Sequence, residues 1–588
     1  MKTKGFLLLI GMLIMMYGCE NEQRIDYPET KKVDTVDVYF GTEVPDPYRW
    51  MEDQDAEDVS EWVKAQQDVT QLYFSDIPFR DRVEARMTKL WNYPKFQVPF
   101  REGDRYFFFK NDGLQNQSVL YMQDDLEAEP EVLLDPNKFS EEGTVALSNL
   151  SVSHDGKLLA YGISRSGSDW NEIYVMDISS KQKLDDKIEW VKFSGIAWHN
   201  DGFYYSRYPE PAKGEEYSDK NENHKIYYHQ IGTPQSDDKL VFEDKENPLR
   251  TMSAQVTEDE QFLIIYESES TSGNALYFKD LAKQQSEITK LAEGFDHEYA
   301  LIDNIGGKLL IRTNEDAPRN KIVVVDTDKP KKENWKTLIP EKEEVLQAIS
   351  LIGGKIVAEY MKDASSQALI YDLDGSQIGE MDLPGIGNLY GLNGKKEEDL
   401  AFYGFTSFTF PSTVYKYDVE NNESEVYKES EMDFDSDAYV TEQVFYESKD
   451  GTKVPMFLVH KKDLQKNGNN PVLLYGYGGF NVSMEPSFSV SRLVFLEQGG
   501  IYAVANLRGG GEYGEEWHEA GTKMQKQNVF DDFISAAEYL IAENYTKPEK
   551  IAILGGSNGG LLVGACMTQR PDLFGVAVPI VGVMDMLR

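Results

Sequence analysis

Cysteine is nearly absent, with only Cys19 and Cys566 in 588 residues, so the chain carries no disulfide framework. It also lacks the Cys and His spacings that hold zinc or haem, and neither a cofactor nor a metal is expected. Basic residues are scarce: 60 Lys and Arg stand against 101 Asp and Glu, a net charge of -41. That surface repels a phosphate backbone, which excludes nucleic acid as a partner and leaves the charge as a source of solubility. Long apolar runs are missing as well. The stretch from Phe6 to Tyr17, preceded by Lys2 and Lys4, is shorter than the about 20 residues of a membrane span and has the length of a signal-peptide core.

That run ends in Met16-Tyr17-Gly18-Cys19, which resembles a bacterial lipobox, with Tyr17 departing from the pattern. Residues 1–18 are expected to be a lipoprotein-type signal peptide and Cys19 the lipidated residue. The protein would then be exported to the periplasm or cell surface and touch a membrane only through its lipid.

Aromatic residues are plentiful, at 12% with 34 Tyr and 29 Phe, as suits stacked antiparallel strands. Between about residues 100 and 420 the sequence repeats a strand, a Gly or Asp turn, a Tyr- or Val-rich strand and a polar loop. Representative pieces are Arg105 to Phe109, Ser151 to Tyr161 and Gly195 to Tyr205, with later copies beginning near Ser253, Ile302, Ala348 and Gly391. The cadence gives about seven units of some four strands each, the requirement of a β-propeller. A pair of β-sandwiches would need far fewer strands.

Beyond about residue 432 short apolar runs alternate with a helical period, the pattern of an α/β layer with a buried parallel sheet. The runs are Pro471 to Tyr475, Gly500 to Asn506, Lys550 to Leu554 and Val576 to Val581. The expected plan is a helical segment over 19–91 packing on the C-terminal domain, a propeller over 92–431 and, given the serine motif Gly555-x-Ser557-x-Gly559, an α/β-hydrolase domain over 432–588, truncated after the nucleophile region.

Gly555-x-Ser557-x-Gly559 lies between an apolar strand and the apolar stretch Leu561 to Met567. This is the setting of a nucleophile elbow, where a tight turn lifts a serine above the sheet at a helix N-terminus. Attack on a carbonyl needs donors for the oxyanion. The backbone N–H of Asn558 is one candidate, and the glycine-rich loop Tyr475-Gly-Tyr-Gly-Gly-Phe480 is placed to supply a second. Arg508 and its following glycines read as loop-shaping, and Cys566 as a small buried hydrophobe.

Tyr475-Gly-Tyr-Gly-Gly-Phe480, Asn506-Leu-Arg-Gly-Gly-Gly-Glu-Tyr-Gly514, Gly555-Gly-Ser-Asn-Gly-Gly-Leu-Leu562 and Asp46-Pro-Tyr-Arg-Trp-Met-Glu-Asp53 resemble the prolyl oligopeptidase family of serine peptidases. The resemblance implies a seven-bladed propeller capping the site and cleavage of short proline-containing peptides after proline by a monomer. It implies Ser557 as nucleophile, the Tyr477 hydroxyl and Asn558 N–H as oxyanion donors, and Phe480 and Val583 as walls of a proline pocket. The family's aspartate and histidine should follow the serine, yet the last histidine is His518, so the chain is expected to lack the triad Asp and His and to be inactive alone. Competing readings are a dipeptidyl- or acylaminoacyl-peptidase and an inert peptide-binding propeller protein.

Overall fold

A computed structural model describes residues 25–53, 56–216 and 220–587. The expected signal peptide and Cys19 lie outside the described residues. The chain divides into two compact units, 1–87 and 88–588. The first holds a hairpin of Val36–Tyr39 and Thr42–Pro45 and a long helix, α1 (Glu57–Ser75); α2 (Arg80–Trp91) follows.

In the second unit, strands from Lys95 to Lys428 form antiparallel sheets ordered as consecutive meanders. Their sequence is apolar on both faces for a reason visible in Phe262–Ser268. Phe262 and Ile264 enter one core cluster, with Leu309 and Ile311 of a later sheet, while Leu263 and Ile265 enter another, with Tyr204 and Ile226 of an earlier one. Side chains on successive residues of a strand point to opposite faces, so each such strand serves two cores. Sheets are thereby stacked face to face around the propeller, and each fully buried Ile or Leu contributes about 1.5–3 kcal/mol.

The expectation of seven separate blades is corrected by the pairing. Five sheets have blade size: one of five strands within 95–134 and four of four strands within 251–292, 299–339, 345–380 and 388–428. The strands from 145 to 243 form instead one continuous eight-stranded sheet. The physical cause is a long strand, Gln182–Val191, whose last residue pairs with Arg207 of Gly202–Arg207 and carries the hydrogen bonding across.

The hydrolase sheet comprises β1 (Tyr439–Glu447), β2 (Lys453–Lys461), β3 (Val472–Tyr475), β4 (Ile501–Ala505), β5 (Ile551–Gly556) and β6 (Val576–Ile580), in the order β1-β2-β4-β3-β5-β6. β1 and β2 pair antiparallel, as do β2 and β4; β4, β3, β5 and β6 are parallel. Helices α3 (Val490–Glu497), α4 (Glu515–Glu519), α5 (Gln527–Ala542) and α6 (Asn558–Gln569) connect them. In α5, Val529, Phe533, Ala536, Ala537 and Leu540 are all fully buried, at the 3–4 spacing of one helix face. They share a core with Leu474, Ala503 and Ile553 of the sheet. Propeller and hydrolase meet through Phe408, whose ring lies 5.4 Å from Phe457 and 5.9 Å from Tyr502.

Candidate active site

The apolar strand β5 ends in glycines because the turn that follows has no room for side chains. A β-carbon on Gly555 would lie 2.6 Å from the Gly559 carbonyl carbon. Ser557 sits in that turn at φ 54° and ψ -117°, immediately before α6. Left-handed φ is costly for an L-residue, and the surroundings hold it there. Ser557 N–H donates to Ile580 O at 2.9 Å, while Gly560 N–H and Leu561 N–H donate to Ser557 O at 2.9 and 3.2 Å. Ser557 itself is exposed, and Asn558, Gly559 and Gly560 behind it are buried. Asn558 opens α6, so its N–H belongs to the first turn, where helix amides have no internal partner and the dipole favours negative charge.

The loop after β3 closes over this turn. The Asn558 side chain donates from Nδ2 to Tyr477 O at 2.6 Å. Gly479 passes so close that a β-carbon there would lie 2.5 Å from Asn558 Nδ2. Lys526 completes the contact, donating from Nζ to Gly478 O at 2.7 Å and to Asn558 Oδ1 at 3.0 Å. The structure thus brings Ser557, Asn558 and the Tyr477 backbone together. Phe480, at φ 55° and 59% exposed, and Val583, 50% exposed, present open surface rather than an enclosed pocket. Further walls are needed to surround a proline ring.

Arg508 is buried under the neighbouring loop. Its Nε donates to Asp532 Oδ2 at 3.0 Å and Nη1 to Asp450 Oδ2 at 2.5 Å, and Ser448 Oγ donates to Asp532 Oδ1 at 2.5 Å. The Arg508 hydrogen bond pulls the Asp450 carboxyl down to about 2. Asp532 projects from α5 and is fully buried, so the cluster ties the 506–514 loop to that helix. His518 Nδ1 lies 3.1 Å from Asn481 N and 2.8 Å from Gly509 O, engaged with loop backbone. Among the described residues no hydrogen bond joins Ser557 to a histidine. The Cys566 thiol contacts Phe530 O, and burial pushes its pKa up, which makes it inert.

Lys526 carries no mark in the sequence, because a lone lysine in a polar stretch has the signature of a solvated helix start. Glu512, which is 1% exposed and pushed up to about 7 by burial, is nearly as unmarked. Its only trace is an acid in a run of glycines.

The family model of the N-terminal β-propeller domain of prolyl oligopeptidase matches residues 28–430, and that of the prolyl oligopeptidase family matches residues 486–588. A prolyl endopeptidase of Elizabethkingia meningoseptica is 49% identical over 572 residues, which cover 97% of this chain and 81% of that protein. Prolyl oligopeptidase A of Amanita bisporigera is 38% identical over 608 residues, covering 96% and 79%. A solved structure from a mechanistic study of two prolyl endopeptidases is similar with a TM-score of 0.92 at 40% identity, over 96% of this chain and 83% of that one. Prolyl oligopeptidase B from Galerina marginata, solved as a histidine-to-alanine mutant bound to a 35mer hydrolysis and macrocyclization substrate, gives 0.90 at 34% identity over 96% and 83%. A likeness that runs through propeller and hydrolase sheet alike makes this chain a member of the prolyl oligopeptidase family of serine peptidases.

Proposed function

We propose that this protein is an endopeptidase that cuts short peptides on the carboxyl side of proline through an acyl-enzyme on Ser557. The observation that carries the reading is the strained, exposed serine at the N-terminus of α6, with the Tyr477 loop bonded to the residue that follows it. Ser557 Oγ attacks the carbonyl carbon of the proline residue and yields its proton to a general base. The carbonyl oxygen, now negative, accepts hydrogen bonds from Asn558 N–H and the Tyr477 hydroxyl. Collapse expels the amine, which takes the proton, and water then releases a peptide ending in proline. Proline suits an apolar pocket built on Phe480 and Val583, since its nitrogen carries no hydrogen that would need a partner.

Among the described residues no histidine hydrogen-bonds to Ser557, and the chain spans 81% of the prolyl endopeptidase of Elizabethkingia meningoseptica. Export with a lipid on Cys19, and a propeller that admits only short, flexible peptides, belong to the same reading. The test is a panel of peptides differing only in the residue before the scissile bond, given to the complete enzyme and to Ser557→Ala. Proline should be preferred, and Ser557→Ala should lower kcat by about four orders of magnitude or more. Preference for Arg or Lys, or for release of amino-terminal dipeptides or acylated residues, would point to another specificity. Turnover by Ser557→Ala would remove the serine from the mechanism.

A further inference from the structure

We propose that Lys526 is a positioning residue of this peptidase, a strut at the entry to α5 that fixes the Tyr477 loop against Asn558 and so sets the geometry of the oxyanion donors. The inference rests on the assignment of Tyr477 and Asn558 to that role. Three hydrogen bonds close a ring: Lys526 Nζ to Gly478 O at 2.7 Å, Lys526 Nζ to Asn558 Oδ1 at 3.0 Å, and Asn558 Nδ2 to Tyr477 O at 2.6 Å. The chemistry of the groups fixes the orientation of the amide. An ammonium only donates and a carbonyl only accepts, so Oδ1 must face the lysine and Nδ2 the loop. Two successive carbonyls of the loop that carries the Tyr477 ring are thereby tied to the residue whose N–H is the other donor.

The lysine is itself held firmly. It precedes the first turn of α5, where Val529 N–H donates to Lys526 O at 3.1 Å. Val529 lies three residues on, on the same helix face. It is fully buried, and its Cγ1 occupies the space that a side chain at Gly478 would need. One face of α5 thus bears on Gly478 twice, by packing through Val529 and by a charged hydrogen bond through Lys526. Among the described residues no carboxylate forms an ion pair with Nζ, and burial pulls its pKa down to about 8. Lys526 is half-buried, and even partial withdrawal of an ammonium from water without an ionic partner carries a cost. A lysine serving stability alone would be better placed at the surface.

Donor placement is felt where the oxygen bears charge, so the strut should act on the transition state more than on bound substrate. In the complete enzyme, Lys526→Met keeps the length of the side chain and removes its donors. Its kcat on a chromogenic prolyl peptide should fall about 10- to 100-fold with KM changed less than about threefold. Binding of a peptide aldehyde ending in prolinal, which adds to a serine to give a tetrahedral oxyanion, should weaken by a similar factor. Binding of a product peptide ending in proline should hold. Lys526→Arg, which retains charge and donors, should recover much of the loss. A kcat within twofold of the parent, or equal losses in aldehyde and product binding, would overturn the proposal, as would an arginine variant no better than the methionine one. Failure of the underlying reading is distinguishable, because it would be seen in the unaltered Lys526 enzyme as turnover that survives Ser557→Ala.

Discussion

At the scale of a residue, Ser557 shows how much local strain the fold sustains. Its φ of 54° with ψ of -117° lies in a region that L-residues occupy at a cost of roughly 1–3 kcal/mol. Three backbone hydrogen bonds and the approach of Gly559 hold it there. A glycine would adopt the same angles without the penalty. Ser557→Gly is therefore expected to be more stable than Ser557→Ala by about 1 kcal/mol, measurable as a higher midpoint of chemical or thermal unfolding. Equal stabilities would mean that the turn imposes no strain. The same residues explain why this corner was legible in the sequence: glycines at 555, 559 and 479 report backbone passing close to backbone, and an exposed serine among them has no packing reason to be there. Lys526 was not legible, because its partners are one main-chain carbonyl and one side-chain amide brought together only by tertiary structure. The open placement of Phe480 and Val583 was equally hidden, since a motif gives residue identity and not the walls around it.

At the scale of an element, the eight-stranded sheet holds a buried charge cluster. His229 on Lys225–Gln230 is fully buried, with Nδ1 2.7 Å from Asp238 Oδ1 and Nε2 3.0 Å from Asp186 Oδ1. Both nitrogens face carboxylates, so both must donate and the ring is an imidazolium. Burial alone would lower its pKa, but Asp238 and Asp186 outweigh burial and hold it above the ordinary 6.5. The resulting stabilisation is complete below pH 6.5 and is lost as pH rises through the raised value. Leaving two buried carboxylates without their cation costs about 3–5 kcal/mol. His229→Gln should therefore lower the unfolding midpoint strongly at pH 6 and progressively less at alkaline pH; a penalty independent of pH would show the ring to be neutral. The strands of this sheet were legible from their alternating and apolar runs. Its continuity was not, because a single pairing, Val191 with Arg207, joins two repeats and has no signature in composition or period.

At the scale of the molecule, the propeller and the hydrolase sheet are coupled through contacts that carry few hydrogen bonds and several acids. Glu515 N–H, at the start of α4, donates to Pro318 O at 2.9 Å and the Tyr513 hydroxyl to Asp363 Oδ1 at 3.0 Å, each reaching from the segment after β4 to the propeller. Alongside them stand three carboxyls, Glu512 buried and Glu359 and Glu485 half-buried. Burial and the Glu485 charge push Glu359, on the strand Lys355–Lys362, up to about 8. Burial and the Glu512 charge push Glu485 to about 7. Burial pushes Glu512 to about 7 despite hydrogen bonds from Met484 N–H and Asn506 Nδ2, and its Oε2 has no partner. Each native carboxyl binds its proton more tightly than the unfolded chain does, so its contribution is complete below about pH 4.5 and is lost as pH rises through 7 to 8. For Glu512 alone the loss is about 3 kcal/mol. Glu512→Gln fixes the neutral form and supplies a donor in place of the orphaned oxygen. It should stabilise the protein at pH 8 and have little effect at pH 5, so that the variant's unfolding midpoint falls less steeply with pH than the parent's. If the two profiles run parallel from pH 5 to 8, Glu512 does not titrate in the folded state, and the pH dependence must lie with Glu359 and Glu485.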